Sequence, residues 1–254
     1  VYYSGKNLFM KKILHYILVI GMILSSSCSS VYIPNVPNTP MLSSQGEFKA
    51  SGHVTLRGNV SVNTAYAVSD NIGVLVNGSH MDNDRSKKEF SQNLVEAGAG
   101  YYTTFGPKNK RILEIYGGYG QGSSDRTYKD RNQDGVLIYS VASTEYNKYF
   151  TQVNYSSKNN KSLKLFGKAY DLNYGTIFRL SYINMSSFTI DGAPHVKEDN
   201  IFIEPVFFTR MALSKTLQLQ YTNGSNFGLK NRKYLTAGNS VFTLGLVLGL
   251  GGKR

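Results

Sequence analysis

Val241-Phe-Thr-Leu-Gly-Leu-Val-Leu-Gly-Leu250 decides the fold. Phe242, Leu244, Leu246, Leu248 and Leu250 take every second position, which is the side-chain period of a β-strand. One face of this ribbon is therefore greasy. The same alternation recurs backward along the chain as far as Gly46. Phe48, Ala50, Val54 and Leu56 oppose Glu47, Lys49, His53 and Arg57. Val60, Val62, Tyr66 and Val68 form the next set, then Ile72, Val74 and Val76. Val95, Ala97, Ala99, Tyr101 and Phe105 oppose Glu96, Gly98 and Gly100, and Leu113, Ile115 and Tyr119 oppose Glu114.

The second half continues in the same way. Tyr149, Val153 and Tyr155 oppose Lys148, Gln152 and Asn154; Phe178, Leu180 and Tyr182 oppose Arg179 and Ser181. Ile203, Phe207 and Met211 oppose Glu204 and Arg210, and Leu217, Leu219 and Tyr221 oppose Gln218 and Gln220. No 3.6-residue period is sustained. The runs predict an all-β fold, a single antiparallel up-and-down barrel of about ten strands, with a range of 8–12. Lys164 to Leu172 reads as part of an insertion. Connections near 69–70, 106–110 and 213–215 are short, and those near 82–91, 122–142, 187–199 and 223–236 are long. Short turns on one rim and long loops on the other mark an outer-membrane barrel. The 157–173 and 57–59 connections depart from that pattern.

Composition agrees. The 254 residues include 19 Tyr, 13 Phe and 25 Gly but one Cys and no Trp. A lone cysteine excludes an internal disulfide and a thiolate metal cluster. The formal charge is +12, of which Lys6, Lys11 and Lys12 supply three. The rest is scattered without a basic block, so no nucleic-acid partner is expected.

Met10-Lys11-Lys12, the apolar run Ile13–Leu24 and Ser25-Ser26-Ser27-Cys28 read as an export signal ending in a lipobox. Cys28 is then the lipidation site, although Ser25 stands where a lipobox has Leu. The expected organisation is upstream residues and a signal helix over 1–27, a lipidated extended tether over 28–45 carrying Pro34, Pro37 and Pro40, and the barrel over 46–254.

Alternation alone does not say which face is wet. The polar faces carry Glu47, Lys49, His53, Arg57, Glu96, Glu114, Lys148, Arg179, Glu204 and Arg210. These charges are sparse and of both signs, which suits a narrow lumen closed by paired side chains better than a solvated outer surface. Gly98, Gly100 and Gly118 on that face would leave room for long charged side chains. Tyr66, Tyr101, Tyr119, Tyr146, Tyr149 and Tyr221 are candidates for girdles at the membrane interfaces.

The stretches from Cys28 to Leu42 and Gly46 to Ala50, with Ala65 to Gly73 and Phe202-Ile-Glu-Pro205, resemble uncharacterised exported barrel proteins of Bacteroidota. The resemblance implies an outer-membrane barrel and carries over no catalytic residue.

Candidate chemistry is thin. Asp130, Asn132 and Asp134 before Gly135 match the first half of a calcium loop. Val141 stands where the closing glutamate belongs, so Ca2+ is a weak expectation and no other cofactor is expected. His80, Asp82 and Asp84, with Asp191 and His195, could form a rim hydrolase of omptin type, but their spacing does not specify one. The sequence thus points to a non-enzymatic, lipid-anchored barrel in the cell outer membrane, with outer-membrane lipid around it and an envelope protein or surface polymer at its loops. The alternatives are a soluble lipid-tethered barrel holding an apolar ligand, which requires Phe242, Leu244, Leu246 and Leu248 to point inward, and the rim hydrolase.

Overall fold

The computed structural model describes residues 30–55, 58–85, 88–131, 136–165, 167–236 and 241–251. The export signal, Cys28, Arg57, Asn132 and Asp134 lie outside them. Twelve strand segments follow in order: β1 (Phe48–Thr55), β2 (Asn59–Ala67), β3 (Ile72–Arg85), β4 (Lys88–Phe105), β5 (Arg111–Arg131), β6 (Leu137–Leu165), β7 (Lys168–Ile190), β8 (Ala193–Pro194), β9 (Asp199–Ala212), β10 (Leu217–Gly224), β11 (Phe227–Gly228) and β12 (Val241–Leu250). Apart from the two-residue β8 and β11, all ten form one closed antiparallel wall. Sequence neighbours pair except that β7 pairs with β9, and β12 returns to β1, with Phe48 opposite Leu250 and Thr55 opposite Thr243. Closure removes every free sheet edge, the condition for strands to cross lipid.

Each wall strand buries one parity and exposes the other. Burial in β7 alternates strictly from Asn173 to Met185, with Ile177, Arg179, Ser181 and Ile183 inward. In β12 the leucines point outward: Phe242, Leu244, Leu246, Leu248 and Leu250 are 39–53% exposed, while Thr243 and Val247 are buried. Val54, Val62, Val76, Val95, Ile115, Val153, Phe178 and Phe207 continue the outward apolar band around the wall. This geometry overturns the soluble barrel with an apolar interior.

The band ends in aromatic rows. Tyr119, Tyr149 and Tyr182 lie side by side across β5, β6 and β7, with ring centroids 5.1 and 6.4 Å apart. The Tyr119 hydroxyl donates to Asn147 and that of Tyr182 to Asp199, the first polar groups above the band. Rings in the apolar layer with hydroxyls at its edge are what an interface selects. Tyr66, Tyr101 and Tyr155 lie toward the opposite rim. Tyr146 corrects the expectation: it shares parity with Lys148 and is buried.

Turns on the chain-entry rim are short, as expected. The opposite rim differs from expectation. The segments 82–91 and 122–142 are largely paired strand, not loop: Asp84 faces Glu89, and Arg131 faces Leu137. The β3–β6 side therefore rises above the band as a tall ribbon wall, and His80, Asp82 and Asp84 belong to β3. Lys164 to Leu172 is the tip of the β6–β7 hairpin and not an insertion; Lys164 pairs with Ala169. Asp191 and Gly192 both adopt positive φ (51° and 80°), the two-residue hairpin turn that returns β7 into β8.

Residues 30–45, the described part of the extended tether expected over 28–45, run through the lumen and leave a cavity of about 510 Å3 at its turn end, lined by Pro40, Lys49, Lys158, Arg210 and Gln218. Ser30, Val31, Tyr32, Asn35, Val36, Asn38, Thr39, Met41 and Leu42 are at most 3% exposed. Pro34, Pro37 and Pro40 keep this strap out of the sheet, because proline cannot donate to a ladder. Apolar residues at 31, 32, 36, 41 and 42 give it burial that a solvated linker would lack.

Candidate functional site

The strap and the inward charges form one polar interior. Glu96 on β4 is its hub. Its carboxylate accepts from Lys148 Nζ at 2.8 Å, Asn35 Nδ2 at 2.9 Å, Asn77 Nδ2 at 3.2 Å and Arg179 Nη1 at 3.4 Å. Glu96, Lys148 and Arg179 have no exposed side-chain surface. Asn35 serves both signs of charge, because its Oδ1 accepts from Lys148 at 3.3 Å and Arg179 at 3.2 Å. An amide can do so because it carries donor and acceptor on one group.

Below the hub, Arg179 Nε donates to Gln152 at 2.8 Å, and Gln152 donates to the Asn38 carbonyl at 2.7 Å. Asn154 bridges that carbonyl to Glu114. Glu114 also accepts from the Leu42 amide and the Tyr116 hydroxyl, each at 3.1 Å. Met41 takes a positive φ of 57° beside that amide. Such backbone costs about 1–2 kcal/mol for a residue with a Cβ. It sends Met41 and Leu42 into separate apolar clusters, one with Ile112 and Phe208, the other with Ala67 and Tyr102. Arg210 holds Thr39 through its carbonyl and its hydroxyl, and Gln220 at 2.5 Å.

Of the predicted lumen charges, Glu96, Lys148 and Arg179 are brought together as ion pairs. Glu114, Glu204 and Arg210 are buried but meet neutral groups; Glu204 accepts from the Tyr32 hydroxyl. His53 is buried beside Gly245, whose missing Cβ makes room for its ring. Glu47 and Lys49 pair at 3.4 Å at the chain-entry rim. Gly98, Gly100 and Gly118 seat aromatic rings rather than charges, whereas Gly120 makes room for Glu96 and Gly249 for Lys49. A Cβ at Gly98 would lie 3.2 Å from Phe150 Cζ, and one at Gly118 would overlap the same ring. The Arg179 guanidinium then stacks on Phe150, 4.6 Å from its centroid.

The long-loop mouth is capped. Residues 229–236 fold over it, pinned by three successive residues. Glu198 accepts the backbone amides of Lys233, Tyr234 and Leu235. Asp199 pairs with Lys230 and Arg232, each at 2.5 Å, and Asn200 bonds the Lys230 and Leu235 carbonyls. Beneath the cap, Tyr32 packs on Tyr146 and Phe202 at 5.6 and 5.1 Å. Asp199 lies beyond the apolar band. Lys230's hydrogen bond, with those of Arg232 and Tyr182 against a smaller cost of burial, holds its carboxyl down at about 2.

The rim residues fall in two places, His80, Asp82 and Asp84 at alternate exposed positions of β3 and Asp191 and His195 about the β7–β8 turn. Asp82 and Asp84 are exposed on β3; His80 Nδ1 lies 2.8 Å from Asn93 Oδ1, and Asp84 accepts from Lys129 at 3.0 Å. Asp191 bonds Ser140 and the Val141 amide, while His195 packs on Phe188 and Tyr234. Asp130 stands on β5, paired with Ile138. Among the described residues no three His, Cys, Asp or Glu side chains are placed to hold a metal.

Sequence reasoning missed Tyr32, Asn35, Asn38 and Thr39. The available signal was the apolar content of a segment otherwise read as a linker.

No family model and no curated protein matches this chain. Among solved structures it is similar to the translocator domain of the autotransporter NalP from Neisseria meningitidis, with 11% identity, 80% of this chain and 85% of that chain covered, and a TM-score of 0.46. The chain is an outer-membrane-type β-barrel by its closed wall, outward apolar band and unequal rims.

Proposed function

We propose that this protein is a non-conducting, non-enzymatic outer-membrane lipoprotein whose raised ribbons engage an envelope protein or a surface polymer. The observation that carries the reading is the strap that crosses and blocks the lumen above its turn-end cavity. A strap with three prolines, eight buried Glu, Lys and Arg side chains and a pinned cap stand in the path a channel would need. Ten strands enclose a narrow interior to begin with.

The interaction role rests on the β5–β6 ribbon. Val136, Leu137, Ile138 and Tyr139 at its tip are 45–59% exposed. Both parities are exposed because a ribbon beyond the barrel has no second layer to pack against. Leu137 lies ten residue pairs beyond Asn147, which bonds Tyr119 at the band edge; at about 3.3 Å per residue that is roughly 33 Å of ribbon. Four contiguous apolar side chains so far from lipid fit a protein partner better than solvent.

Two measurements test the proposal. Cell fractionation with labelled palmitate should place acylated protein in the outer membrane; mature protein in the soluble periplasm overturns it. Purified barrel in a planar bilayer should give no stable conductance; steady open steps overturn the closed lumen.

A further inference from the structure

We propose that the lumen strap delivers the chain upstream of Ser30 to the long-loop rim, so that the lipid on Cys28 anchors from the outer face of the membrane; the anchor itself rests on the lipoprotein reading above.

The direction of the strap is fixed at both ends. At the loop end, the Val31 amide donates to the Tyr234 carbonyl of the cap at 3.0 Å. Ser124 bonds the Val31 carbonyl at 2.5 Å and Arg126 bonds the Ser30 carbonyl, both from the part of β5 that rises above the band. At the turn end, the Gln45 amide donates to Asp70 at 3.1 Å, and the Gly46 amide to the Ala67 carbonyl at 2.9 Å. Intermediate contacts progress in order. Ile33 meets Gln92, Asn35 meets Glu96, and Leu42 meets Glu114 near the lower end of β5.

Chain reach then limits the anchor. Cys28 is two residues from Ser30, at most about 7 Å of extended chain. The apolar band is roughly 25 Å tall. A lipid attached at Cys28 therefore cannot insert at the turn rim while the strap occupies the lumen. Withdrawing the strap would break its hydrogen bonds to Glu96, Glu114, Arg179 and Arg210 and expose Val31, Tyr32, Met41 and Leu42.

The topology also allows the strap to arrive without being threaded through a finished ring. Gly46, at a φ of 81°, turns the strap directly into β1, and β1 closes the wall by pairing with β12. A strap already laid on the open sheet is enclosed when that last seam forms.

The test uses three epitope tags in the full chain on intact cells, one at a time: between Ser29 and Ser30, after Val196 in the loop that precedes β9, and after Ser214 in a short turn. The expected result is that the first two tags bind antibody on intact cells and the Ser214 tag binds only after permeabilisation. An N-terminal tag that behaves like the Ser214 tag, while the Val196 tag is surface-exposed, overturns the strap direction alone. A Val196 tag hidden on intact cells beside an exposed Ser214 tag overturns the outer-face placement together with the orientation assumed for the loops. Because a tag can perturb folding, an Asn38→Cys, Asn77→Cys pair provides a second readout. The two amides are 2.8 Å apart inside the lumen. The pair should be bridged by a short bifunctional thiol reagent in the folded, heat-modifiable barrel, because a disulfide itself needs closer Cβ atoms than an amide contact guarantees, and a folded barrel with two unbridged thiols overturns the strap's placement.

Discussion

Asn35 Nδ2 donates to Glu96 Oε2 across 2.9 Å, joining residue 35 of the strap to the central charge of a wall strand 61 residues later in the chain. The bond makes the lumen network dependent on the strap. Glu96 alone would face two cations; with Asn35 between them, carboxylate, ammonium and guanidinium share one neutral mediator.

Asn35→Ala removes a donor and an acceptor from buried charged partners. Hydrogen bonds to charged groups contribute roughly 1.5–3 kcal/mol, and leaving a buried group unsatisfied costs about as much again. The variant is expected to unfold at lower denaturant by about 2–4 kcal/mol, read from the loss of heat-modifiable mobility in a urea series. Asn35→Asp, which puts a carboxylate beside Glu96, should be worse than alanine.

Glu96→Ala leaves Lys148 and Arg179 buried without their shared counter-charge. Breaking a buried pair in this way costs about 3–5 kcal/mol. The double variant Glu96→Leu, Lys148→Met should recover part of the loss, since one charge of each sign leaves together. Arg179 then keeps Gln152 and the Phe150 face. A double variant no more stable than Glu96→Ala would show that Arg179 carries most of the penalty.

Gly118→Ala tests the reason for glycine on the inner face. The added Cβ would overlap the Phe150 ring, which is 3% exposed and cannot swing away. Overpacking typically costs about 1–3 kcal/mol. Displacing the ring would also remove the stacking under Arg179. Gly117→Ala, one residue away on the lipid face, is the control, because its Cβ would meet nothing nearer than 3.8 Å. A thermal midpoint lowered in the first and unchanged in the second is the expected pair of results.

The strand pattern was readable because lipid outside and a polar lumen inside impose opposite chemistry on alternate residues. Leu244 and Thr243, or Phe178 and Arg179, report their faces by type alone. What was hidden depends on contacts far apart in sequence. Asn35 and Asn38 look like linker residues until Glu96 and Asn77 are beside them. Polar, paired ribbon such as Asp125 opposite Ser143 reads as loop because its outer face meets no lipid and its buried inner residues, Ser124, Arg126 and Thr144, are polar too. The glycines at 98 and 118 marked the inner face correctly, but their occupant, Phe150, is identified only by strand register.

Leu246→Arg on the outer face of β12 is expected to cost about 2–4 kcal/mol, the usual depth-dependent penalty for a cation facing lipid near the midplane. Leu246 is 50% exposed with no side-chain layer above it. In a soluble barrel the same change would be close to neutral, so folding yield into vesicles, compared with wild type, separates the two environments.

The cap should respond to acid. Asp199's folded carboxyl sits at about 2, below the ordinary 3.8, chiefly because Lys230 hydrogen-bonds it. A depressed carboxyl adds stability that is complete above the unfolded value and is lost as pH falls through the folded one. The 229–236 cap is therefore expected to keep its amide-exchange protection from neutral pH to about 4 and to lose it between about 4 and 2. Asp199→Asn removes the charge at every pH and should lower the protection of 229–236 already at neutrality, with no further step attributable to this site in acid. The lumen strap should keep its protection in that variant, because Glu96 and Arg210 hold it from below the cap. If strap and cap exchange together, the cap is part of the plug and not a lid over it.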